Sequence, residues 1–475
     1  MAEGLQHAGQ YIIEDLRLVT TTGLEVNLIT SVLGITIFED ISSMTVTGTI
    51  AIMDSVNLAS HGPLLGQEYL HLKIRTPFVN KDESATIDFS KNAFLVHSIS
   101  KRQKLTGGVQ GFVLSFVSQE LVKNQRLKVT QSLTDTWSNI VKKMLTDKKY
   151  LNTKKKIDLE PTAGVKKFVA PNVRPLDIIV MGMKQAVSEF KGEPTYLFYE
   201  TLKGFNFRTL ASLYNNAPQL DYITVATGTN PIGNKDYNVL TELRTVLSYE
   251  IVSNNDSIAN YRAGMFGSKL ITHDIISKSY ETKIYNYHDN FTNESHIVGG
   301  VTLGTPEFPL ASALALNDKG LRVSDFPART FMMPTSLSGG VDSQHTTENN
   351  TNPYMAYDPH KWLQRRNSQM IQLENALQVN ILVHGNTLIN AGDKVLFNLP
   401  YNAVPKGPGN ERYDKFYKGP FLIKKIRHDF FNGENPKHQM NMQLVKDSLE
   451  EKLDNVGPIE PSAETAAAIE EYKYN

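Results

Sequence analysis

The sequence predicts a β-rich α+β chain in which two duplicated antiparallel β-barrel domains carry α+β insertions. Three observations predict it. The first is a pattern written twice. One copy runs Gly66, YLHLKIRTP, FLVHSI at 94–99 and GFVLSFVS at 111–118; the other runs Gly392, KVLFNLP, FLIKKI at 421–426 and QMNMQLVKDS at 439–448. Gly66 to Phe94 spans 28 residues and Gly392 to Phe421 spans 29, while Phe94 to Phe116 spans 22 and Phe421 to Leu444 spans 23. Three matches in one order at one spacing point to internal duplication. The second is alternation in both copies, as in VTGTIAIMD at 46–54 and LQVNILVHG at 377–385. Alternation marks antiparallel strands with one face buried and one wet. The third is a change to helical period between the copies.

Residues 1–125 form the first barrel domain. YIIEDLRLVTTTGLEVNLIT breaks at Thr22-Gly23, a turn between apolar runs, and Val46, Ile50 and Ile52 share one strand face. Residues 126–210 form an α+β insert. Leu133, Trp137, Ile140, Val141, Met144 and Leu145 fall at helical spacing, with Thr134 or Asp135 as the N-cap. Lys154-Lys155-Lys156 reads as a solvated loop. A second helix is expected over 175–190, with Pro175 in its first turn and Leu176, Ile179, Met183, Val187 and Phe190 as its stripe. TYLFYETLKGFNFRTL at 195–210 reads as a hairpin turning at Lys203-Gly204.

Residues 211–376 start the second barrel domain and carry a long loop-rich insertion and a helix. Strands are expected at 249–253 and 269–277. Across 291–360, Gly299-Gly300, Pro306, Pro309, Pro327, Pro334, Gly339-Gly340 and Pro353 mark a region for binding or for ordering on binding. The helix, over 361–376, carries Trp362, Met370 and Leu373. Residues 377–448 complete the second barrel, with Val379, Ile381 and Val383 on one face. The apolar phase after Gly392 runs one residue out of step with that after Gly66, which leaves local register open. Duplication predicts equivalent buried strand positions for Phe94 and Phe421. Residues 449–475 read as a solvated acidic tail, with a short docking helix in AETAAAIEEY as the alternative.

With 475 residues the chain has room for roughly two to four domains. Lysine plus arginine and aspartate plus glutamate each number 49, so charge gives no argument for nucleic acid or anionic membrane as a partner. The absence of cysteine excludes disulfides, thiolate nucleophiles and cysteine-ligated metal. It fits assembly in a reducing cytoplasm. No apolar run approaches the roughly 20 residues of a membrane span, and the N-terminus lacks a signal-peptide pattern. A soluble chain without stable membrane insertion is expected.

Motifs with chemistry are scarce. There is no GxSxG and no HExxH, and no two histidines lie four apart. His288 and His296 flank Asp289 and Glu294 in what reads as a surface loop, with a metal site as the lesser reading. The run from Gly228 to Asp236 imitates a phosphate loop, but Asn234 intrudes and Asp236 replaces the hydroxyl. Trp137, Trp362, Tyr196, Phe198, Phe205 and Phe207 are expected in the core rather than on a ligand platform. No catalytic, cofactor-binding or metal-ligating residue is assigned. The many carboxylates keep a hydrolase dyad open as an alternative.

From 11 to 450 the order of parts resembles the central baseplate hub proteins of T-even-like contractile-tailed phages. LTDTWSNIVKKML after the first barrel and RPLDIIVMGMKQAV leading into TYLFYETLKGFNF carry the resemblance. So does the closing block of NTLINAGDKVLFNLP, KGPFLIKKIRHDF and HQMNMQLVKDS. The related spike proteins of type VI secretion systems have a similar hub at their N-terminus. The resemblance implies two tube-type barrel domains and a homotrimer whose six like domains form a pseudo-sixfold ring. Such a ring joins a sixfold tail tube to a threefold central spike. Implied partners are the spike, the tail tube or its initiator, the baseplate wedges and the tape-measure protein in the lumen. DNA would pass without specific binding. The implied place is the virion tail, after assembly in the host cytoplasm. A tail-associated peptidoglycan hydrolase and a tail-tube initiator are the alternatives.

Overall fold

Six long strands build the first part of the chain, with two three-residue strands between them: β1 (Ile12–Val19), β2 (Val32–Asp40), β3 (Thr47–Asp54), β4 (Tyr69–Arg75), β5 (Phe94–Lys104) and β6 (Gln110–Ser118). The computed structural model describes residues 7–55, 58, 64–77, 86–105, 108–224, 239–253, 256–275, 277–299, 308–309, 323–335, 357–375, 377–400, 413–433 and 435–450. These strands order as β2-β3-β6-β5-β4-β1, all pairs antiparallel. Alternation sets their inner face. Ile35 lies opposite Ile50, Ile50 opposite Leu114, Val96 opposite Phe116 and Leu70 opposite Phe94, all of them buried. Phe94 stacks between Phe89 and Phe116, at ring distances of 4.2 and 4.9 Å. Burying one such side chain contributes about 1.5–3 kcal/mol.

The insert follows as α1 (Gln119–Arg126), β7 (Val129–Asp135), α2 (Trp137–Thr146), β8 (Ile157–Leu159), β9 (Lys166–Val173), α3 (Pro175–Gln185), β10 (Tyr196–Thr201) and β11 (Gly204–Thr209). Trp137, Ile140, Val141, Met144 and Leu145 from α2 pack with Leu176 and Ile179 from α3 and with Tyr196, Phe198, Phe205 and Phe207 from the hairpin. Three expectations need correction here. Leu133 is not on the helix; it lies on β7 opposite Phe168 of β9. The cap is Thr136, whose hydroxyl accepts from Asn139 N–H, not Thr134 or Asp135. The second helix stops at Gln185, and Phe190 is 67% exposed in the turn beyond it rather than on a buried stripe. Lys191 and Gly192 both take positive φ there, which no helix continues.

The rest of the chain adds β12 (Asp221–Ile223) and β13 (Val246–Ser253), then a separate sheet of β14 (Gly267–Asp274), β15 (Ser279–Asn286) and β16 (Arg329–Thr335), then α4 (Leu363–Asn375). The strand β16 runs through part of the region expected to be irregular, parallel to β14. Next come β17 (Leu377–His384), β18 (Lys394–Pro400), β19 (Tyr413–Phe431) and β20 (Lys437–Lys446). They order as β13-β17-β20-β19-β18-β12. This is the order of the first six strands, in the same chain sequence. The last pair differs: β12 meets β18 parallel, whereas β1 meets β4 antiparallel.

The likeness extends to register. Phe94 and Phe421 are both fully buried. Two residues on, Val96 lies opposite Phe116 and Ile423 opposite Leu444. Each ladder then slips at the same place, between Val96 and Ser98 and between Ile423 and Lys425. Such a bulge bends the strand and raises its twist. The carbonyl of Glu68 accepts from Val96 N–H at 2.8 Å, and that of Asp393 accepts from Ile423 N–H at 2.9 Å. Asp393 therefore matches Glu68 and not Gln67. One extra residue after Gly66 accounts for the phase offset read in the sequence. Both carboxylates cap the turn before their strand: Glu68 accepts from Gly66 and Gln67 N–H, and Asp393 from Asn390 N–H.

Candidate functional site

The two strand sets meet at one ladder. The first part of β19 pairs with β18, and its second part crosses to β2, from Lys425 opposite Asp40 to Phe431 opposite Gly34. Side chains reinforce the junction. Thr36 donates its hydroxyl to Asp429 at 2.8 Å, Lys425 lies 3.2 Å from Asp40, and Tyr11 donates to the Phe431 carbonyl at 3.0 Å. Phe430 belongs to the core of the first strand set, edge-on to Tyr11 at 5.2 Å.

Behind this ladder Glu39 is buried and holds three parts of the chain together. Its carboxyl accepts from Leu202 N–H in the hairpin turn at 3.0 Å and from Ala391 N–H before β18 at 2.7 Å. Burial pushes its pKa up to about 8, against those two hydrogen bonds. His428 faces it at 3.8 Å and touches His438 at 3.2 Å. Burial pushes His428 down to about 3 and His438 well below its ordinary value. Near pH 7 the three groups are neutral, so the 3.8 Å approach is not an ion pair.

A second buried cluster fastens the insert. Lys155 was expected in a wet loop, but its side chain is 5% exposed and its ammonium sits 2.8 Å from Glu120 and 2.6 Å from Glu200. Glu200 also accepts from Val46 N–H at 2.9 Å and Ser118 Oγ at 2.5 Å, both in the first strand set. One cation serves two carboxylates. Burial outweighs the Lys155 charge at Glu200 and raises it; at Glu120 burial is outweighed by Lys155 and its hydrogen bond, which lower it.

Among the described residues, several strands of the sheets are paired on one side only, and two of these edges belong to the large sheet's long strands. β13 pairs with β17 on one side only, and its Leu247, Tyr249, Ile251 and Val252 are 41–47% exposed. β5 meets β4 only at Leu95 and Phe94, so its outer side from Ser98 to Lys104 is open.

The structure places several of the residues singled out for chemistry in hydrogen-bonded or packed positions. The stretch 228–236 lies outside the described residues. His296 and Glu294 are buried, contrary to the surface-loop reading. His296 contacts Asp447 at 2.9 Å and the Phe291 carbonyl at 2.7 Å, which ties the loop to the end of β20. Glu294 and Glu193 share Arg365 of α4, at 3.3 and 2.9 Å. Glu160 is engaged by Thr209 N–H, Thr209 Oγ and Ser188 Oγ. Trp137, Trp362 and the four hairpin aromatics are buried. Among the described residues no group of three or more His, Asp or Glu could hold a metal, and no helix is long and apolar enough to cross a membrane. The sheet itself offers its junction and the open edges of β13 and β5. Sequence reading could not locate the open edges, because alternation shows which face of a strand is buried but not whether its sides are paired.

No protein-family model matches the chain. Sequence comparison finds a relative named "Probable baseplate hub protein gp334" from Vibrio phage KVP40, 23% identical over 396 residues, covering 82% of this chain and 85% of the relative. The chain resembles phage baseplate hub proteins. The resemblance drawn from motif order therefore holds over most of the hub-like chain. Solved structures similar to it include the prophage MuSo2 tail protein from Shewanella oneidensis, at TM-score 0.47, 9% identity, and 91% and 98% of the two chains. A tail protein from Neisseria meningitidis MC58 aligns at TM-score 0.45, 11% identity, and 92% and 97% of the chains.

Proposed function

We propose that this chain is the structural baseplate hub of a contractile phage tail. It acts without catalysis, as a trimer whose two like strand sets per chain give six around a ring. The observation that carries the reading is the repeated strand order, with its matching bulge, joined in one chain by the β19·β2 ladder. A chain that presents one architecture twice can match six tube subunits with one set of faces. Its two unlike insertions keep threefold identity for a spike. The spike, the tail tube or its initiator, the wedges and the tape-measure protein are the partners of such a hub. Equal numbers of basic and acidic residues suit a lumen through which DNA passes without being gripped.

The test is solution mass by light scattering, alone and with the co-expressed spike. Three chains per particle support the reading. Six chains favour a tube or tube-initiator protein. A monomer that joins neither spike nor tube overturns the hub. Lysis of peptidoglycan by the pure protein, lost on one Asp or Glu substitution, would turn the reading to the hydrolase.

A further inference from the structure

We infer that the chain binds a neutral oligosaccharide in a polar cleft along the seam between the insert and the second strand set. The inference goes beyond the hub reading and does not depend on the oligomeric state.

Two cavities lie side by side there, of about 160 and 270 Å³. They share Arg208 and Asn216 as a common wall, where the guanidinium donates to Asn216 Oδ1 at 3.4 Å. Together they fall within the roughly 300–1,000 Å³ of small-molecule sites. One end is formed by β8, the hairpin and the Asn390–Asp393 turn that leads into β18. The other is formed by the turn after α3 and by residues 211–216.

The repeat marks the first end as different from its counterpart. Glu68, at the matching position of the first strand set, accepts from three backbone N–H groups, those of Leu65, Gly66 and Gln67. Asp393 accepts from one, that of Asn390, and lines the cleft. Asn390 beside it is 3% exposed. Its amide group donates to the Leu388 carbonyl at 2.8 Å, which fixes the orientation of the side chain. Its Oδ1 meets no donor among the described residues. A buried acceptor without a donor is destabilising. A ligand hydroxyl entering between Asn390 and Asp393 supplies the missing donor.

The charges select the kind of ligand. Lys156, Lys191, Lys203 and Arg208 line the two cavities, and so do Asp158, Glu160, Glu193 and Asp393. Four of each sign leave no net field to draw in an anion such as phosphate, or a cation. They leave a dense mixture of donors and acceptors, to which Asn206, Asn215 and Asn216 add. A hydroxyl both donates and accepts, so a chain of hydroxyls can satisfy such a wall along its length. At the second end stands Phe190, 67% exposed, with the Lys191 ammonium 5.7 Å from its ring. An exposed ring beside polar groups offers a surface on which the C–H face of a sugar packs. The cleft is suited to holding rather than cutting. The Glu160 carboxylate is engaged by Ser188 and Thr209, and that of Glu193 by Arg365, so neither stands ready as acid or base.

The test is isothermal titration calorimetry of the full chain with chitotriose, a chain of N-acetylated amino sugars, and with maltotriose, a chain of plain hexoses. Saturable binding at one site per chain is expected for at least one of them. Preference for chitotriose assigns the cleft to amino-sugar glycans, and preference for maltotriose to unmodified hexose glycans. Phe190→Ala at one end and Lys156→Ala at the other change exposed residues. Each should weaken binding about three- to tenfold. Val169→Ala, exposed on β9 and outside the cleft, should leave the affinity unchanged. No saturable binding of either sugar overturns the inference. Binding that both cleft variants leave unchanged also overturns it, because the sugar then sits elsewhere. Inorganic phosphate that displaces the sugar at similar concentration overturns it as well, in favour of an anion site.

Discussion

Lys155 holds its ammonium 2.6 Å from Glu200, a residue of the insert hairpin that also takes hydrogen bonds from Val46 and Ser118 in the first strand set. Through this contact the insert and the first strand set share one buried charge cluster, with Glu120 of α1 as its third member.

Lys155→Met leaves two buried carboxylates without a cation and should cost about 3–5 kcal/mol of unfolding free energy in urea. Adding Glu120→Gln and Glu200→Gln to it should recover most of the loss. A cost under about 1 kcal/mol would mean that the cluster is not closed to water.

Stability should peak near the ordinary histidine pKa of 6.5. Glu39 binds its proton more tightly folded than unfolded. Its contribution is full below about 4.5 and is lost as pH rises through about 8. His428, held down at about 3, contributes above 6.5 and loses that contribution as pH falls. His438 acts in the same direction. Glu39→Gln should make the fall of stability between pH 6.5 and 8 shallower by about 1.4 kcal/mol per pH unit, one proton's worth. An unchanged slope in urea titrations across that range counts against a neutral buried Glu39.

Phe94→Ala and Phe421→Ala should each cost about 3–5 kcal/mol, and similar amounts, because both fill fully buried matching positions. Chemical denaturation of the two variants side by side decides it. One near-neutral value would break the equivalence of the two strand sets.

Gly392→Ala should cost more than Gly66→Ala. Both glycines have positive φ, at +89° and +78°, which costs an alanine about 1–2 kcal/mol. A Cβ on Gly392 would also lie 2.3 Å from the Tyr199 hydroxyl, in the buried hairpin, whereas on Gly66 it would meet the His97 carbonyl at 3.2 Å. The expected difference is about 1–2 kcal/mol by thermal or urea unfolding.

Much of the local structure was legible because side-chain period reports burial. Val46, Ile50 and Ile52, and again Val379, Ile381 and Val383, lie on buried faces as alternation requires. The hairpin turn lies at Leu202-Lys203, one residue before the Lys203-Gly204 expected, with Gly204 opening the returning strand. Leu133 was misplaced because four residues before Trp137 is helical spacing, yet its strand is held by β9, more than thirty residues on. Lys155 and His296 were misplaced for a related reason. Nothing beside them in sequence shows that Glu120 and Glu200, or Asp447, will come to neutralise or bond them.

The sequence by itself determined the repeat, the strand and helix periods, the neutral charge balance and the absence of cysteine. Each is a property of neighbouring residues or of counting. Only the tertiary structure decided that β19 crosses to β2, that Glu39 and Lys155 are buried, and that β13 and half of β5 have open sides among the described residues. Backbone hydrogen bonds are alike at every residue. Which strand lies beside which is therefore set by shape and burial across hundreds of residues, and no local pattern records it.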